Sequence, residues 1–137
     1  QLLRAAGDIV DGRVIVVFGC GGDRDPSKRS MMGETAAQRA DSVIITADNS
    51  RSESTDQIIA SILEGVQRVS SPRASSIIVE PNRRTAISTA LRSAAPGDIV
   101  LLAGKGHETV QIIGDSTTPF DDRLVAFEEW KQLEAAR

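Results

Sequence analysis

The stretch VIVVF, residues 14–18, is an unbroken apolar run made almost entirely of β-branched side chains. Continuous runs of this kind are typical of strands buried on both faces of a parallel sheet. Three similar runs follow along the chain, VIIT at 43–46, IIV at 77–79 and IVLL at 99–102. The sequence therefore predicts four strands that are buried on both faces.

Helical patterns separate these runs. Ser54, with Gln57 three residues later, predicts a capping box, and Asn82 predicts the start of the next helix. The apolar faces of these two helices are Ile58, Ile59, Ile62, Leu63 and Val66, and Ile87, Ala90, Leu91 and Ala94. A weaker pattern, SMMGETAAQRA at 30–40, predicts a helix with Met31, Met32, Thr35 and Ala36 facing inward.

Strands that alternate with helices predict an α/β fold, Rossmann-like, with an open and mainly parallel sheet covered by helices on both faces. After the fourth strand, Gly114-Asp115 predicts the turn of a short C-terminal hairpin. Asp121 or Asp122 is then expected to cap a final helix. The 137 residues suit one domain, 1–137, and Gln1 at the start of an incomplete helical pattern suggests a domain cut from a longer protein.

Composition excludes several classes of function. The net charge is −3 and the basic residues are spread along the chain, which argues against a nucleic-acid-binding surface. The chain also has few aromatic residues to stack on bases, with three Phe, one Trp and no Tyr. The single cysteine, Cys20, rules out an internal disulfide framework and is typical of a cytoplasmic protein. Its expected role is that of a small buried residue. No apolar run approaches the roughly 20 residues of a membrane span.

Ligands of open α/β sheets bind beyond the carboxyl ends of the strands. Three unusual loops leave those ends, GCGGDRDPSKR at 19–29, ADNSRSES at 47–54 and AGKGHE at 103–108. The third strand leads into EPNRR at 80–84, which resembles an ordinary helix entrance. Glycines in the first loop could let backbone amides cradle an anion, although the loop matches neither the dinucleotide fingerprint nor a Walker A loop.

The three loops carry charges of both signs: Arg24, Lys28, Arg29, Arg51 and Lys105, and Asp23, Asp25, Asp48 and Glu108. A zwitterionic amino acid needs both sets, whereas ion pairs within the loops would satisfy the same inventory. The single histidine, His107, is expected to shape its loop rather than act as an acid or base, and one histidine cannot form a multi-histidine metal site.

At these residues the chain resembles the Mur ligases of peptidoglycan synthesis, most closely the MurE-type members. The resemblance runs through VVFGCGGDRDPSKRSMMG, ADNSRSES, LLAGKGHETVQII and PFDDR. It implies the C-terminal domain of a three-domain ligase. With ATP and Mg²⁺, such a ligase adds an amino acid to UDP-MurNAc-L-Ala-D-Glu through an acyl phosphate. ATP and Mg²⁺ would be bound mainly by upstream domains, so no catalytic residue and no metal ligand is expected in this chain.

The resemblance also assigns residues. Arg24, Asn49 and Arg51 would hold the distal end and carboxylates of meso-diaminopimelate, and Gly104 and Glu108 its far ammonium group. Family members specific for lysine lack the arginine at the position of Arg51. Asp48 is expected, like His107, to orient its loop, and Lys28 to reach the nucleotide phosphates. Ser50 replaces the usual proline of the motif, which predicts a loop whose φ is less fixed.

Two other interpretations remain open at this stage. The domain could act alone as a module that binds amino acids or muropeptides without catalysis. Alternatively, the glycine loop could serve a dinucleotide, although the missing fingerprint and the surplus of acidic residues argue against that interpretation.

Overall fold

The computed structural model describes residue 3 and residues 11–23, 25–105 and 108–136. Its strands and helices alternate as the sequence predicts. In chain order they are β1 (Val14–Phe18), α1 (Ser27–Arg39), β2 (Ser42–Ile45), α2 (Thr55–Gln67), β3 (Ser76–Val79), α3 (Arg83–Ser93), β4 (Ile99–Ala103), β5 (Val110–Ile113), β6 (Ser116–Pro119) and α4 (Asp122–Ala135).

Strands β1 to β4 form one parallel sheet in the order β3-β2-β1-β4. The central strand β1 pairs with both β2 and β4, and Phe18 at its end is level with Ile45 and Ala103. Strands β5 and β6 form a separate antiparallel hairpin whose turn contains Gly114, with φ +59°. The predicted fold class is confirmed. Because β1, β2 and β4 are neighbours, the loops that follow them start side by side.

Successive side chains of β1 point to opposite faces of the sheet, and each face is buried. Val14, Val16 and Phe18 pack with residues of α1 and α2. Ile15 and Val17 pack on the other face with residues of α3 and α4. Each of these side chains contributes about 2 kcal/mol through burial. The predicted cover of helices on both faces is therefore confirmed, and β1 is the strand at its centre.

Side-chain caps fix where three of the helices begin. The Ser54 hydroxyl accepts a hydrogen bond from the Gln57 N–H at 3.4 Å, and the Asn82 amide oxygen accepts one from the Thr85 N–H at 3.0 Å. Of the two acidic residues considered for the last helix, Asp121 is the cap, since its carboxylate accepts from the Arg123 N–H. The sequence thus predicts all three helix starts correctly.

The two edge strands depart from the prediction that every strand is buried on both faces. Strand β4 is half-buried along its whole length, and β3 is more exposed. Ile77, Ile78 and Val79 are 36%, 37% and 44% exposed. The prediction was wrong here because β3 is an edge strand, and these side chains take part in neither of the two core clusters. Their β-branched composition secures pairing with β2 rather than burial.

The inward face predicted for α1 was also partly wrong. Met31 is 62% exposed, and both Met31 and Thr35 line an open apolar hollow of about 360 Å³ beside the sheet. The buried residues of the helix are Arg29, Gly33, Ala36 and Ala37. The helix turns this face inward because α1 crosses α2 closely, with Gly33 directly against the Ile62 carbonyl. A side chain at that position would not fit.

Candidate functional site

Three loops meet beyond the carboxyl ends of β1, β2 and β4. The Gly22 N–H donates to the Asn49 carbonyl at 2.7 Å and joins the first loop to the second. The Arg51 N–H donates to the Ile112 carbonyl at 3.0 Å, and the Arg51 carbonyl accepts from Gly114 at 2.7 Å. The loop after β2 is thus held between the glycine loop and the β5–β6 hairpin.

Close backbone contact explains the glycines at this edge. A Cβ atom at Gly22 would overlap the Ser50 carbonyl oxygen. Gly104 has a left-handed φ of +96°, and a Cβ there would lie 2.9 Å from the Gly19 carbonyl oxygen. Only glycine satisfies such positions without strain. The glycines therefore let the loops approach one another.

Asn49 is 1% exposed, and its side chain connects the loop after β2 with the loop after β4 and with the β5–β6 hairpin. Its Oδ1 accepts from the Ile112 N–H at 2.8 Å and from Lys105 Nζ at 3.3 Å. Its Nδ2 donates to the Glu108 carboxylate. The backbone donor of Ile112 fixes which end of the amide is the acceptor. Asn49 consequently orients Glu108 as well as occupying the site itself.

Lys105 is buried beneath the site. Its Nζ lies 3.4 Å from Asp48 Oδ1 and 5.7 Å from the centre of the Phe120 ring, and its side chain has no exposed surface. Buried ion pairs gain little net stability, because desolvation offsets the attraction, but they define geometry. The structure thus places Asp48 against Lys105, and its role in orienting the loop stays a prediction.

Arg51 has a left-handed backbone, with φ +54°. A conformation of this kind in a non-glycine residue costs about 1–3 kcal/mol and persists only when its surroundings impose it. Here the hairpin bonds of both its N–H and its carbonyl impose it. Ser50, at the usual proline position, is buried and accepts a hydrogen bond from the Thr55 hydroxyl at 2.9 Å. Hydrogen bonds therefore fix the loop where a proline ring would otherwise do so.

The Arg51 guanidinium donates from Nη1 to the carbonyls of Gly22 and Asn49, at 3.2 and 3.3 Å. Within the described ranges it forms no ion pair with a carboxylate. Arg51 and Glu108 face a shared cavity of about 60 Å³. The residues around this cavity are Gly21, Asp48, Asn49, Arg51, Gly104 and Glu108. One cavity is therefore lined by both an arginine and a glutamate.

A second cavity of about 220 Å³ adjoins the first and shares Gly21, Asp48 and Gly104 with it. Exposed Lys28, at the start of α1, contributes to its wall, as does buried Arg29. Arg29 donates to Glu53 at 2.7 Å, so part of the charge inventory is satisfied by an internal ion pair. The predicted site residues Arg24 and His107 lie outside the described residues.

Comparison with known proteins assigns the family. Residues 1–106 match the family model described as Mur ligase, glutamate ligase domain. The chain belongs to this family. The match covers more than half of the sequence and includes the first two site loops. The family resemblance drawn from the loop motifs is thereby confirmed.

Two relatives of this Mur ligase family member and one solved structure carry the same ligase name. The chain is 55% identical over 123 residues to the UDP-N-acetylmuramoyl-L-alanyl-D-glutamate--2,6-diaminopimelate ligase of Synechococcus elongatus, covering 90% of this chain and 24% of the relative. The corresponding ligase of Thermosynechococcus vestitus is 52% identical, with the same coverage. A solved structure with this ligase name has a TM-score of 0.88 at 37% identity, covering 98% of this chain and 27% of the other. The chain spans about a quarter of the length of these relatives.

The sequence analysis correctly treated EPNRR as a helix entrance but did not single out one buried residue within it. The segment EPNRR contains Arg83, whose side chain has no exposed surface and pairs with Asp122 at 2.7 Å. The same guanidinium reaches the carbonyls of Ala47 and Ala103, which are the first residues of two of the site loops. A signal was present in the sequence, because a basic residue in the first turn opposes the helix dipole and so indicates another partner.

Cys20 is buried, as predicted, and its thiol lies 3.5 Å from the Met32 sulfur. Burial raises the pKa of the thiol to about 11, so the group stays protonated near neutral pH. Among the residues that the structure describes, no group of three or more His, Cys, Asp or Glu side chains could hold a metal ion. Within the same part of the chain, no helix has the length and apolar character of a membrane span.

Proposed function

We propose that this chain is the C-terminal, amino-acid-binding domain of a larger three-domain cytoplasmic ligase. The ligase adds meso-diaminopimelate to UDP-MurNAc-L-Ala-D-Glu in peptidoglycan synthesis. The observation that carries the proposal is the cavity shared by Arg51 and Glu108. A guanidinium and a carboxylate at one cavity suit a ligand end that bears both a carboxylate and an ammonium group. Relatives named as diaminopimelate ligases support this choice of ligand.

The cavity volumes suggest how the ligand lies. The cavity of about 60 Å³ is much smaller than the adjoining one and suits a charged end group rather than a whole amino acid. Arg51 would bind the distal carboxylate, together with Asn49 and Arg24. The Gly104 backbone and Glu108 would bind the distal ammonium group. The rest of the ligand would extend into the adjoining cavity of about 220 Å³.

The upstream domains would supply most of the ATP and Mg²⁺ site. ATP contributes the phosphoryl group that activates the muramoyl carboxylate. The residue of this domain best suited to contact a phosphate is Lys28. It is exposed and lines the same cavity as the glycine loop. We assign Lys28 to that contact. The contribution of this domain is to orient the attacking amine and to close over the activated carboxylate.

The test is the amino-acid choice of the full-length protein that contains this chain. Purified protein is incubated with UDP-MurNAc-L-Ala-D-Glu, ATP and Mg²⁺, and with either meso-diaminopimelate or L-lysine. Mass spectrometry of the products should detect the diaminopimelate tripeptide and little lysine product. Equal use of lysine would refute the role of the Arg51 cavity. Absence of any tripeptide, with tight binding of diaminopimelate by the isolated chain, would favour a stand-alone binding module instead.

A further inference from the structure

The Arg83 guanidinium connects three parts of the fold that are remote in sequence. Its Nε and Nη2 donate to the two oxygens of Asp122 at 2.8 and 2.7 Å. Its Nη1 donates to the Ala47 carbonyl at 3.0 Å, and its Nη2 also lies 3.3 Å from the Ala103 carbonyl. These hydrogen bonds lie in the protein interior, since the Arg83 side chain has no exposed surface.

The two carbonyls occupy equivalent positions in the site. Ala47 directly precedes Asp48 and Asn49, while Ala103 is the last residue of β4 and directly precedes Gly104. The two strands that lead into these loops are not neighbours, because β1 lies between them. A planar guanidinium with donors pointing in fixed directions can hold both carbonyls at once, which a lysine ammonium on a flexible stem cannot reproduce.

We propose that Arg83 is a positioning residue of the amino-acid site. It sets the separation between the loop of Asn49 and Arg51 and the loop of Gly104 without touching the ligand. This inference rests on the proposed function. Binding residues must be held to a fraction of an ångström by the groups around them, and a displacement of about 1 Å can cost roughly 100-fold in rate. Asp122, at the start of α4, holds the guanidinium in place.

A purely mechanical role in joining α3 to α4 does not require this pair. The next residue, Arg84, already joins the same two helices at the surface, with Glu128 at 2.9 Å and Glu129 at 3.0 Å. Among the described residues, Arg84 has no hydrogen bond or ion pair with either site loop. It therefore provides a matched control, because it is the same residue type, in the same helix turn, paired with the same partner helix.

The experiment compares Arg83→Lys with Arg84→Lys in the full-length protein. KM is measured separately for meso-diaminopimelate, ATP and the UDP-muramoyl dipeptide, and thermal midpoints are recorded. In Arg83→Lys, the KM for diaminopimelate should rise roughly 10- to 100-fold, while the other two KM values change much less. Arg84→Lys should leave all three close to wild type.

An unchanged KM for diaminopimelate in Arg83→Lys, or an equal rise in all three values, would overturn the positioning role. If that variant does not fold, Asp122→Asn takes its place, and the same selective rise is expected because the guanidinium loses its anchor. Failure of both variants to fold would assign the pair to stability alone and also overturn the inference. Wild-type protein that does not ligate diaminopimelate would instead refute the proposed function.

Discussion

At the amino-terminal edge of the parallel sheet, Arg13 pairs with Asp98 at 2.9 Å, and half of the arginine side chain is exposed. At the carboxyl-terminal edge, the side chain of Lys105 has no exposed surface and faces Asp48 at 3.4 Å. Both edges thus carry basic and acidic residues directly next to strand ends. The acidic side chains are buried to a similar degree, so the edges differ in the burial of the basic residue and in what surrounds the pairs.

The acids of the amino-terminal edge cap the backbone. Asp98 accepts from the Arg13 N–H at 2.7 Å, and Asp41 accepts from the Val14 N–H at 2.7 Å, just where β1 starts. Arg73 and Arg13 then pair with these carboxylates at the surface. The backbone N–H groups of Arg13 and Val14 thus find hydrogen-bond acceptors within this edge, as backbone donors at a strand end require.

The carboxyl-terminal edge instead encloses cavities of about 60 and 220 Å³. Its buried charges lie beneath the loops, while Arg51 and Glu108 face the open volume. Charge next to a strand end therefore does not by itself indicate a ligand site. Burial beneath a cavity distinguishes the site from a structural cap.

The largest expected difference between the edges is in stability. Lys105→Met leaves the Asp48 carboxylate buried without its cation, which should lower the free energy of unfolding by about 3–5 kcal/mol. Arg13→Met removes a half-exposed cation, and Asp98 keeps the N–H donors of Arg13 and Ala95, so the loss should be smaller, about 1 kcal/mol. Urea unfolding of each variant, followed by circular dichroism, measures both values. Equal losses would contradict the distinction between the edges.

A smaller effect is expected from the backbone cap at the start of β1. Asp41→Ala removes the acceptor of the Val14 N–H and should lower the free energy of unfolding by about 1–2 kcal/mol. Asp41→Asn keeps an acceptor oxygen there and should lose less. Urea midpoints of the two variants test this order, and a greater loss in Asp41→Asn would show that the charge matters more than the cap.

The smallest expected effect is on how stability depends on pH. Backbone N–H groups of Ala95 and Arg13 hold the pKa of Asp98 below its ordinary value. Burial alone would raise the pKa of Asp41, but the Val14 N–H and Arg73 lower it on balance. A lowered carboxyl pKa contributes stability that is complete above the unfolded value of about 3.9 and is lost as the pH falls through the folded value.

Urea midpoints measured between pH 7 and pH 3 should therefore fall on the acid side. Asp98→Asn should make that fall less steep, because one linked carboxylate is removed. An acid limb of unchanged steepness would show that Asp98 contributes nothing to the pH dependence.

Sequence reasoning predicted the fold well where local chemistry decides it. The β-branched run at 14–18 and the caps Ser54 and Asn82 act within a few residues, and they occur as predicted. The inward face of α1 was wrong at Met31 because the close crossing with α2 depends on glycines in both helices. Such a contact between elements leaves little trace in the periodicity of one of them.

The location of the site was also predictable from the sequence, but not all of its contacts were. Loops that carry Asn49, Arg51, Gly104 and Glu108 follow β2 and β4, the two parallel strands that flank β1, so topology alone brings them to one edge. The role of Arg83 was not predicted, because its partner Asp122 lies 39 residues further along the chain. Only the packing of α4 beside α3 brings them together.

The most direct test of the central claim is Arg51→Ala in the full-length protein, with KM measured for meso-diaminopimelate and for ATP. Loss of the cation that faces the cavity should raise the KM for diaminopimelate by roughly 30-fold or more, since a buried charge contact is worth at least about 2 kcal/mol. The KM for ATP should stay near the wild-type value. Equal changes in both constants, or no change in either, would contradict the assignment of this edge to the amino acid.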